Sequence, residues 1–214
     1  MSDRRLTPDL LLGAYASGIF PMAESRDDPQ IHWVDPRRRG VVPLDGFHMS
    51  RSLARRMRQG GVEAALDRDF GAVIDGCSNR PETWINTAIR HLMIELHDLG
   101  YAHAFAVYRD RGLIGGLYGV ALGRAFFGES MFSRATDGSK MTLAWAVDHL
   151  RRTGFKLFDA QFLTPHLASL GAIEITRGEY HTRLARAIES DADIRALPLE
   201  TDPQAVVQRI TQTS

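Results

Sequence analysis

His103-Ala104-Phe105-Ala106-Val107-Tyr108 is followed by the turn residues Arg109-Asp110-Arg111-Gly112. Leu113-Ile114-Gly115-Gly116-Leu117-Tyr118-Gly119-Val120-Ala121-Leu122 comes next, then Arg124-Ala125-Phe126-Phe127-Gly128-Glu129-Ser130-Met131. Three apolar runs joined by short turns predict strands over 103–108, 113–122 and 124–131. Ser139 then caps a predicted helix to about residue 152, buried through Leu143, Val147 and Leu150. Lys156 to Gln161 reads as a short strand, His166 to Leu170 as a helical turn, Ala172 to Thr176 as a strand, and Glu179 to Glu189 as a last helix. Upstream, residues 83–99 space Ile85, Ala88, Leu92, Leu96 and Leu99 at a helical period, closed by Gly100. Helix, antiparallel strands, long helix, strand, helix, strand is an α/β (α+β) arrangement around one mixed sheet.

The N-terminal part is organised differently. Thr7 and Pro8 start a helix that carries Leu11, Ala14 and Tyr15 and stops at Gly18. Ile19-Phe20-Pro21-Met22 follows as an apolar peg, and residues 24–46 read as irregular structure with one short strand. A second helix over 49–59 faces Met49, Leu53 and Met57 inward, and Gly60-Gly61 ends it. The expected organisation is a small N-terminal domain over 1–60, a larger α/β domain over 61–196, and a loosely held tail over 197–214.

A chain of 214 residues buries enough surface for a core without disulfide staples, and its single cysteine, Cys77, excludes a disulfide scaffold or a thiolate cluster. No apolar run approaches the length of a membrane span, and Asp3, Arg4 and Arg5 lead into polar turn signals, so a cytoplasmic monomer is expected. The net charge is zero, but the basic residues are arginines apart from Lys140 and Lys156. Arg37, Arg38, Arg39, Arg51, Arg55, Arg56 and Arg58 crowd the first 60 residues. Arginine suits bidentate phosphate contacts, so an anionic partner is one reading of that crowding; an arginine-favouring genome is the other.

The densest polar cluster on apolar strands is Gly128-Glu129-Ser130, with Asp159-Ala160-Gln161 about thirty residues on. A carboxylate among aromatics must be paired, hydrogen-bonded or at an edge. Alternation puts Asp159 and Gln161 on one strand face and Phe158 and Ala160 on the other. If the two strands are neighbours, Glu129, Asp159 and Gln161 converge; otherwise they are ordinary surface polar residues. Other chemistries fit poorly. Cys77 lacks a dyad partner, and Gly128-Glu129-Ser130 is not the nucleophile elbow of a hydrolase. His91, His97 and His103 lack metal-ligand spacing, so no metal is expected. The glycines at 112, 115, 116 and 119 match no phosphate-loop pattern and are read as sites of close backbone approach around a pocket or bulge. Trp33 and Trp84 offer planes for stacking a nucleobase, with core packing the alternative.

These segments resemble the leucyl/phenylalanyl-tRNA–protein transferases, bacterial enzymes of the N-degron pathway. The resemblance runs over roughly residues 6–185, through Tyr15-Ala16-Ser17-Gly18-Ile19-Phe20-Pro21, Thr83-Trp84-Ile85, Leu96-His97-Asp98-Leu99-Gly100, Gly115-Gly116-Leu117-Tyr118-Gly119, Phe127-Gly128-Glu129-Ser130-Met131-Phe132-Ser133, Asp159-Ala160-Gln161 and His166-Leu167-Ala168-Ser169-Leu170-Gly171-Ala172. It implies a small N-terminal domain joined to a Gcn5-related N-acyltransferase-like domain. It also implies transfer of leucine or phenylalanine, with methionine a further donor, from charged tRNA to the α-amine of proteins beginning with Arg or Lys. No cofactor is implied, since the aminoacyl-tRNA is a substrate. By the resemblance Gln161 contacts the attacking amine, Asp159 orients and polarises Gln161, and Glu129 holds the acceptor or the 3′-adenosine. Leu117, Phe126, Gly128 and Phe158 form the side-chain pocket, and Trp84 sits against the terminal nucleoside. The chain departs from familiar members at Met22 and at His32-Trp33-Val34-Asp35-Pro36, on the presumed substrate side. Ala160 replaces a frequent cysteine, a change expected to matter little because that side chain is read as facing away. Two other functions compete: a CoA-dependent N-acetyltransferase, for which residues 134–139 lack the pyrophosphate turn, and a non-catalytic RNA- or degron-binding protein.

Overall fold

The computed structural model describes residues 6–212; the readings placed on Asp3, Arg4, Arg5, Thr213 and Ser214 lie outside them. Thr7 accepts a hydrogen bond from the Leu10 amide and caps α1 (Pro8–Ala16), with Pro8 at its first position. Two short strands, β1 (Phe20–Met22) and β2 (His32–Val34), pair antiparallel as a separate ribbon. The chain then enters the main sheet as β3 (Arg38–Val41) and leaves it as α2 (Arg51–Arg58), capped by Ser50. β4 (Glu63–Leu66), α3 (Phe70–Ser78) and α4 (Thr87–Asp98) follow.

The meander is β5 (Ala102–Arg109), β6 (Gly112–Leu122) and β7 (Ala125–Ser133). α5 (Gly138–Arg152) crosses over to β8 (Leu157–Gln161), which pairs parallel to β7. The remaining elements are α6 (Pro165–Ala168), β9 (Ile173–Thr176), α7 (Arg177–Ile188) and α8 (Pro203–Thr211). Seven strands form one mixed sheet in the order β4-β5-β6-β7-β8-β3-β9. One apolar cluster covers one face with α1, α3, α4 and α7; the other packs α2, α5 and α8 on the opposite face.

Two expectations need correction. β3 lies between β8 and β9 in the seven-stranded sheet, so residues 24–46 contribute an interior strand as well as one strand of the ribbon. The tail is not loose over 203–211: α8 buries Val206, Val207 and Ile210, and Arg209 bonds both oxygens of Asp148 on α5. The polar residues around this helix mask a single apolar face, which is enough to seat it.

Candidate active site

Pairing between β7 and β8 stops at Phe127 opposite Asp159. Beyond that point the parallel strands diverge and open a cleft of about 310 Å3. Openings at the carboxyl ends of parallel strands are where α/β sheets hold ligands, and this volume suits a group the size of an amino acid. Leu117, Gly128, Glu129, Ser130 and Met131 line it from the meander, and Phe158, Ala160 and Phe162 from β8 and the turn beyond. Leu143 of α5, Leu167 of α6, Val42, Thr164, Arg80 and Trp84 complete the wall.

Two β-bulges aim the polar groups. Tyr118 pairs with Ser130 and Gly119 with Gly128, which leaves Glu129 as the extra residue of β7. Gly40 pairs with Gln161 and Val41 with Asp159, which leaves Ala160 as the extra residue of β8. A bulge redirects a side chain that strict alternation would place elsewhere. Gln161 ends β8 in the left-handed region, at φ 61°. Gly40 is required beside this bend, since a Cβ there would stand 2.6 Å from the Phe162 carbonyl carbon.

Glu129 is buried, with Oε1 accepting from Gln161 Nε2 at 2.9 Å. Its Oε2 has no hydrogen-bond partner among the described residues, and neither has the buried hydroxyl of Tyr15. Tyr15 and Glu129 interact electrostatically all the same, short of bonding geometry. Burial pushes the Glu129 carboxyl up to about 8; the Tyr15 hydroxyl, Arg39 and Gln161 pull it down, and Asp159 adds to the rise. A buried carboxyl with one oxygen unbonded and a pKa near neutrality is suited to exchanging protons with an amine.

Asp159 is placed differently from the expectation. It is fully buried and paired with Arg39, whose Nε and Nη2 reach Oδ1 and Oδ2 at 2.9 and 2.6 Å. Alternation along β8 holds at this point, but the cleft lies on the Phe158 and Ala160 face. Ala160 therefore faces the cleft and not away from it, and a larger residue there would narrow the cleft. Asp159 reaches Gln161 through the Gln161 backbone amide, at 2.8 Å, and not through its carboxamide.

Arg39 is corrected outright: only 1% exposed and bonded to Asp159, it cannot take up a tRNA phosphate. Arg37, Arg38, Arg51, Arg55 and Arg58 are exposed, whereas Arg56 lies 2.9 Å from Asp137, the N-cap of α5. Trp84, Leu117, Gly128 and Phe158 line the cleft. Phe126 is fully buried behind it and meets Phe158 edge-on at 5.2 Å. Met22 and Trp33 lie on the β1–β2 ribbon, outside the lining of the cleft, with Trp33 exposed. Gly115, Gly116 and Gly119 are filled by the Gly138 backbone and the rings of Phe132 and Phe126, so they serve packing next to a bulge and not a phosphate. Met131, Leu167 and Tyr15 lie in the segments that carry the resemblance but received no role there; Val42, Phe162 and Tyr180 look like ordinary core residues, and Arg80 sits in an irregular bend after α3. A second groove, at the start of β8, is lined in part by Asp45, Arg151, Lys156 and Arg183 and contains no buried polar side chain. No cluster of three or more His, Cys, Asp or Glu residues that could hold a metal occurs among the described residues.

The architecture is a mixed α/β sheet whose parallel pair splays over an apolar cleft that holds a buried carboxyl. The fold is similar to that of FemX, with a TM-score of 0.52 at 11% identity over 78% of this chain and 66% of that one. Residues 41–185 match the leucyl/phenylalanyl-tRNA protein transferase family, and residues 4–37 match that family's N-terminal domain. The chain is 62% identical to the leucyl/phenylalanyl-tRNA–protein transferase of Ruegeria pomeroyi, over 98% of this chain and 99% of that protein. It is 60% identical to that of Cereibacter sphaeroides over the whole of both. The chain belongs to the leucyl/phenylalanyl-tRNA–protein transferase family, an aminoacyltransferase family. No helix among the described residues is long and apolar enough to cross a membrane.

Proposed function

We propose that the cleft transfers leucine or phenylalanine from its tRNA to the α-amine of proteins that begin with Arg or Lys, and that Glu129 carries the proton. An aminoacyl ester is already activated, so the site must chiefly align amine and carbonyl and move a proton. The apolar wall of Leu117, Met131, Leu143, Phe158 and Phe162 receives the aminoacyl side chain, and Trp84 offers its ring to the terminal nucleoside. The incoming α-ammonium gives one proton to the Glu129 carboxylate. The freed amine attacks the ester carbon, a C–N bond forms and the C–O bond to the ribose breaks. The nitrogen's second proton passes to the leaving ribose oxygen, and Glu129 returns its own to solvent. These steps draw on no cofactor.

The observation that carries this reading is the one buried carboxyl among the described residues that lines the cleft, raised to about 8 by burial. An α-amine has an ordinary pKa of about 7.7–8.0, so proton exchange between the two is nearly balanced. Since Asp159 is paired with Arg39, Glu129 in its ionised form is the cleft carboxylate that attracts a cationic N-terminus. The exposed Arg37, Arg38, Arg51, Arg55 and Arg58 supply the phosphate contacts; Arg56 ties α2 to the start of α5, whose Leu143 lines the cleft. CoA-dependent acetylation is the weaker reading. The Asp137 carboxylate at the start of α5 is bonded to Lys140 and close to Arg56 without capping the helix, so it sets a negative charge where a pyrophosphate would bind, and the Ser139 amide is given to Ser133.

The test is kcat/KM for extension of an Arg-initiated peptide across pH, for the wild type and Glu129→Gln. The wild type should show two overlapping ionisations near pH 8, from Glu129 and the peptide amine. Glu129→Gln should be slower by about 10²–10⁴-fold and keep only the amine's ionisation. A Glu129→Gln variant with wild-type rate and profile removes Glu129 from the chemistry.

A further inference from the structure

We propose that Arg39 and Tyr180 are positioning residues for the transfer reaction: they clamp Asp159, which pins Gln161, which in turn sets Glu129. The proposal rests on the reading of the cleft given above and deepens it.

Every acceptor position of Asp159 is engaged away from the cleft. Oδ1 accepts from Arg39 Nε at 2.9 Å and from the Gln161 amide at 2.8 Å. Oδ2 accepts from Arg39 Nη2 at 2.6 Å and from the Tyr180 hydroxyl at 2.8 Å. An oxygen that already accepts two hydrogen bonds has no lone pair left for an amine. Asp159 is therefore an anchor and not a proton carrier.

Arg39 is held as firmly as the carboxylate it holds. Its Nη1 donates to the Gly18 carbonyl at 3.0 Å, and its guanidinium lies 4.6 Å from the Phe20 ring centre and 4.2 Å from that of Tyr180. The apolar peg after α1, the interior strand β3 and the helix α7 thus meet on one guanidinium. Burial opposes the arginine's charge, but the bonds to Asp159 keep its pKa above the ordinary value.

A buried ion pair is a weak source of stability, because desolvation offsets most of the attraction. What this pair does uniquely is geometric. Gln161 sits in the left-handed region, which a residue with a Cβ adopts only when its surroundings enforce it. The bond from its amide to Asp159 enforces it, and that bend carries the carboxamide to Glu129 Oε1. Displacing Asp159 moves Gln161, and moving Gln161 releases the one bond that orients the Glu129 carboxyl.

The experiment is a double-mutant cycle on the full chain, read as the single-turnover rate with saturating leucyl-tRNA and an Arg-initiated peptide. Arg39→Lys keeps the charge but cannot bridge both oxygens of Asp159; Tyr180→Phe removes one bond from the same carboxylate. Arg39→Lys should slow transfer about 10- to 100-fold and Tyr180→Phe about 3- to 10-fold, with KM for tRNA and peptide nearly unchanged. In a Gln161→Ala background each should change the rate by less than about 2-fold, because the element through which they act is gone. Losses that multiply with Gln161→Ala, or that appear in KM, overturn the positioning role and leave the aminoacyl-transfer reading intact. Where Arg39→Lys fails to fold by circular dichroism, the Tyr180→Phe cycle decides alone. A wild-type chain that transfers nothing overturns the reading of function, and this inference with it.

Discussion

Replacing Glu129 with glutamine should stabilise the protein increasingly as pH rises, which is opposite to the usual behaviour of a paired carboxylate. The folded carboxyl binds its proton up to about pH 8, whereas the ordinary value is 4.5. Between these values the folded chain holds a proton that the unfolded chain has released. The free energy of unfolding therefore falls as pH rises through this window, and the loss is complete above pH 8. At about 1.36 kcal/mol per pH unit, the displacement corresponds to about 5 kcal/mol at full ionisation. The Glu129→Gln variant would keep the oxygen that accepts from Gln161 and carry no charge there, so it escapes the loss. About 4 kcal/mol of this falls between pH 5 and pH 9; for a domain of this size about 1 kcal/mol moves Tm by roughly 2–4 °C, so the difference between variant and wild type should widen by about 8–16 °C over that range. Other titrating groups are common to both proteins and cancel in the difference. Thermal melts of the two proteins at both pH values measure it. An equal Tm difference at pH 5 and pH 9 would refute the buried, proton-holding carboxyl.

Three further outcomes follow from the geometry. Replacing Arg55 and Arg58 by glutamine should weaken binding of leucyl- and phenylalanyl-tRNA alike and reduce the slope of log K against log salt by up to about two; an unchanged slope moves the phosphate surface elsewhere. Gly128→Ala would place a Cβ 2.7 Å from the Phe158 ring and 3.3 Å from the Asp159 carbonyl oxygen. It should force that ring into the cleft and depress phenylalanine transfer more than leucine transfer, as a ratio of kcat/KM values would reveal. Ile210→Ala should cost about 2–5 kcal/mol in chemical denaturation, because the side chain is buried under α2 and α5; a loss within error would return residues 203–211 to a dispensable tail.

The meander and the long crossover helix were legible because their apolar runs are continuous and their turns are short: β5, β6 and β7 extend the expected strands by one or two residues at most ends. α5 starts at Gly138 with Asp137 as its cap, close to the expected Ser139. β3 was hidden because Arg38-Arg39-Gly40-Val41 looks like a solvated charge run. Its arginine is buried only because a carboxylate 120 residues away meets it, and no local pattern carries that information. α3 contains two glycines in nine residues, which blurs its periodicity. The grouping of Glu129, Asp159 and Gln161 was readable from neighbouring strands, but their roles were not. The bulge at Glu129 breaks the two-residue period of β7, and the alternation that β8 keeps does not say which of its faces borders the cleft. Leu117, Phe158 and Trp84 came through the family resemblance, whereas Tyr15 and Tyr180 look like any buried aromatic until the fold sets them beside Glu129 and Asp159.

The most direct test of aminoacyl transfer with Glu129 as proton carrier is the mass of an Arg-initiated peptide after a single turnover. The peptide is incubated with leucyl-tRNA and either the wild type or Glu129→Gln, beside an Asp-initiated peptide as control. The account predicts that the wild type adds one leucyl residue to the Arg-initiated peptide and none to the Asp-initiated one, while the folded Glu129→Gln variant lags far behind. Equal extension of both peptides, or a Glu129→Gln variant as fast as the wild type, would contradict it.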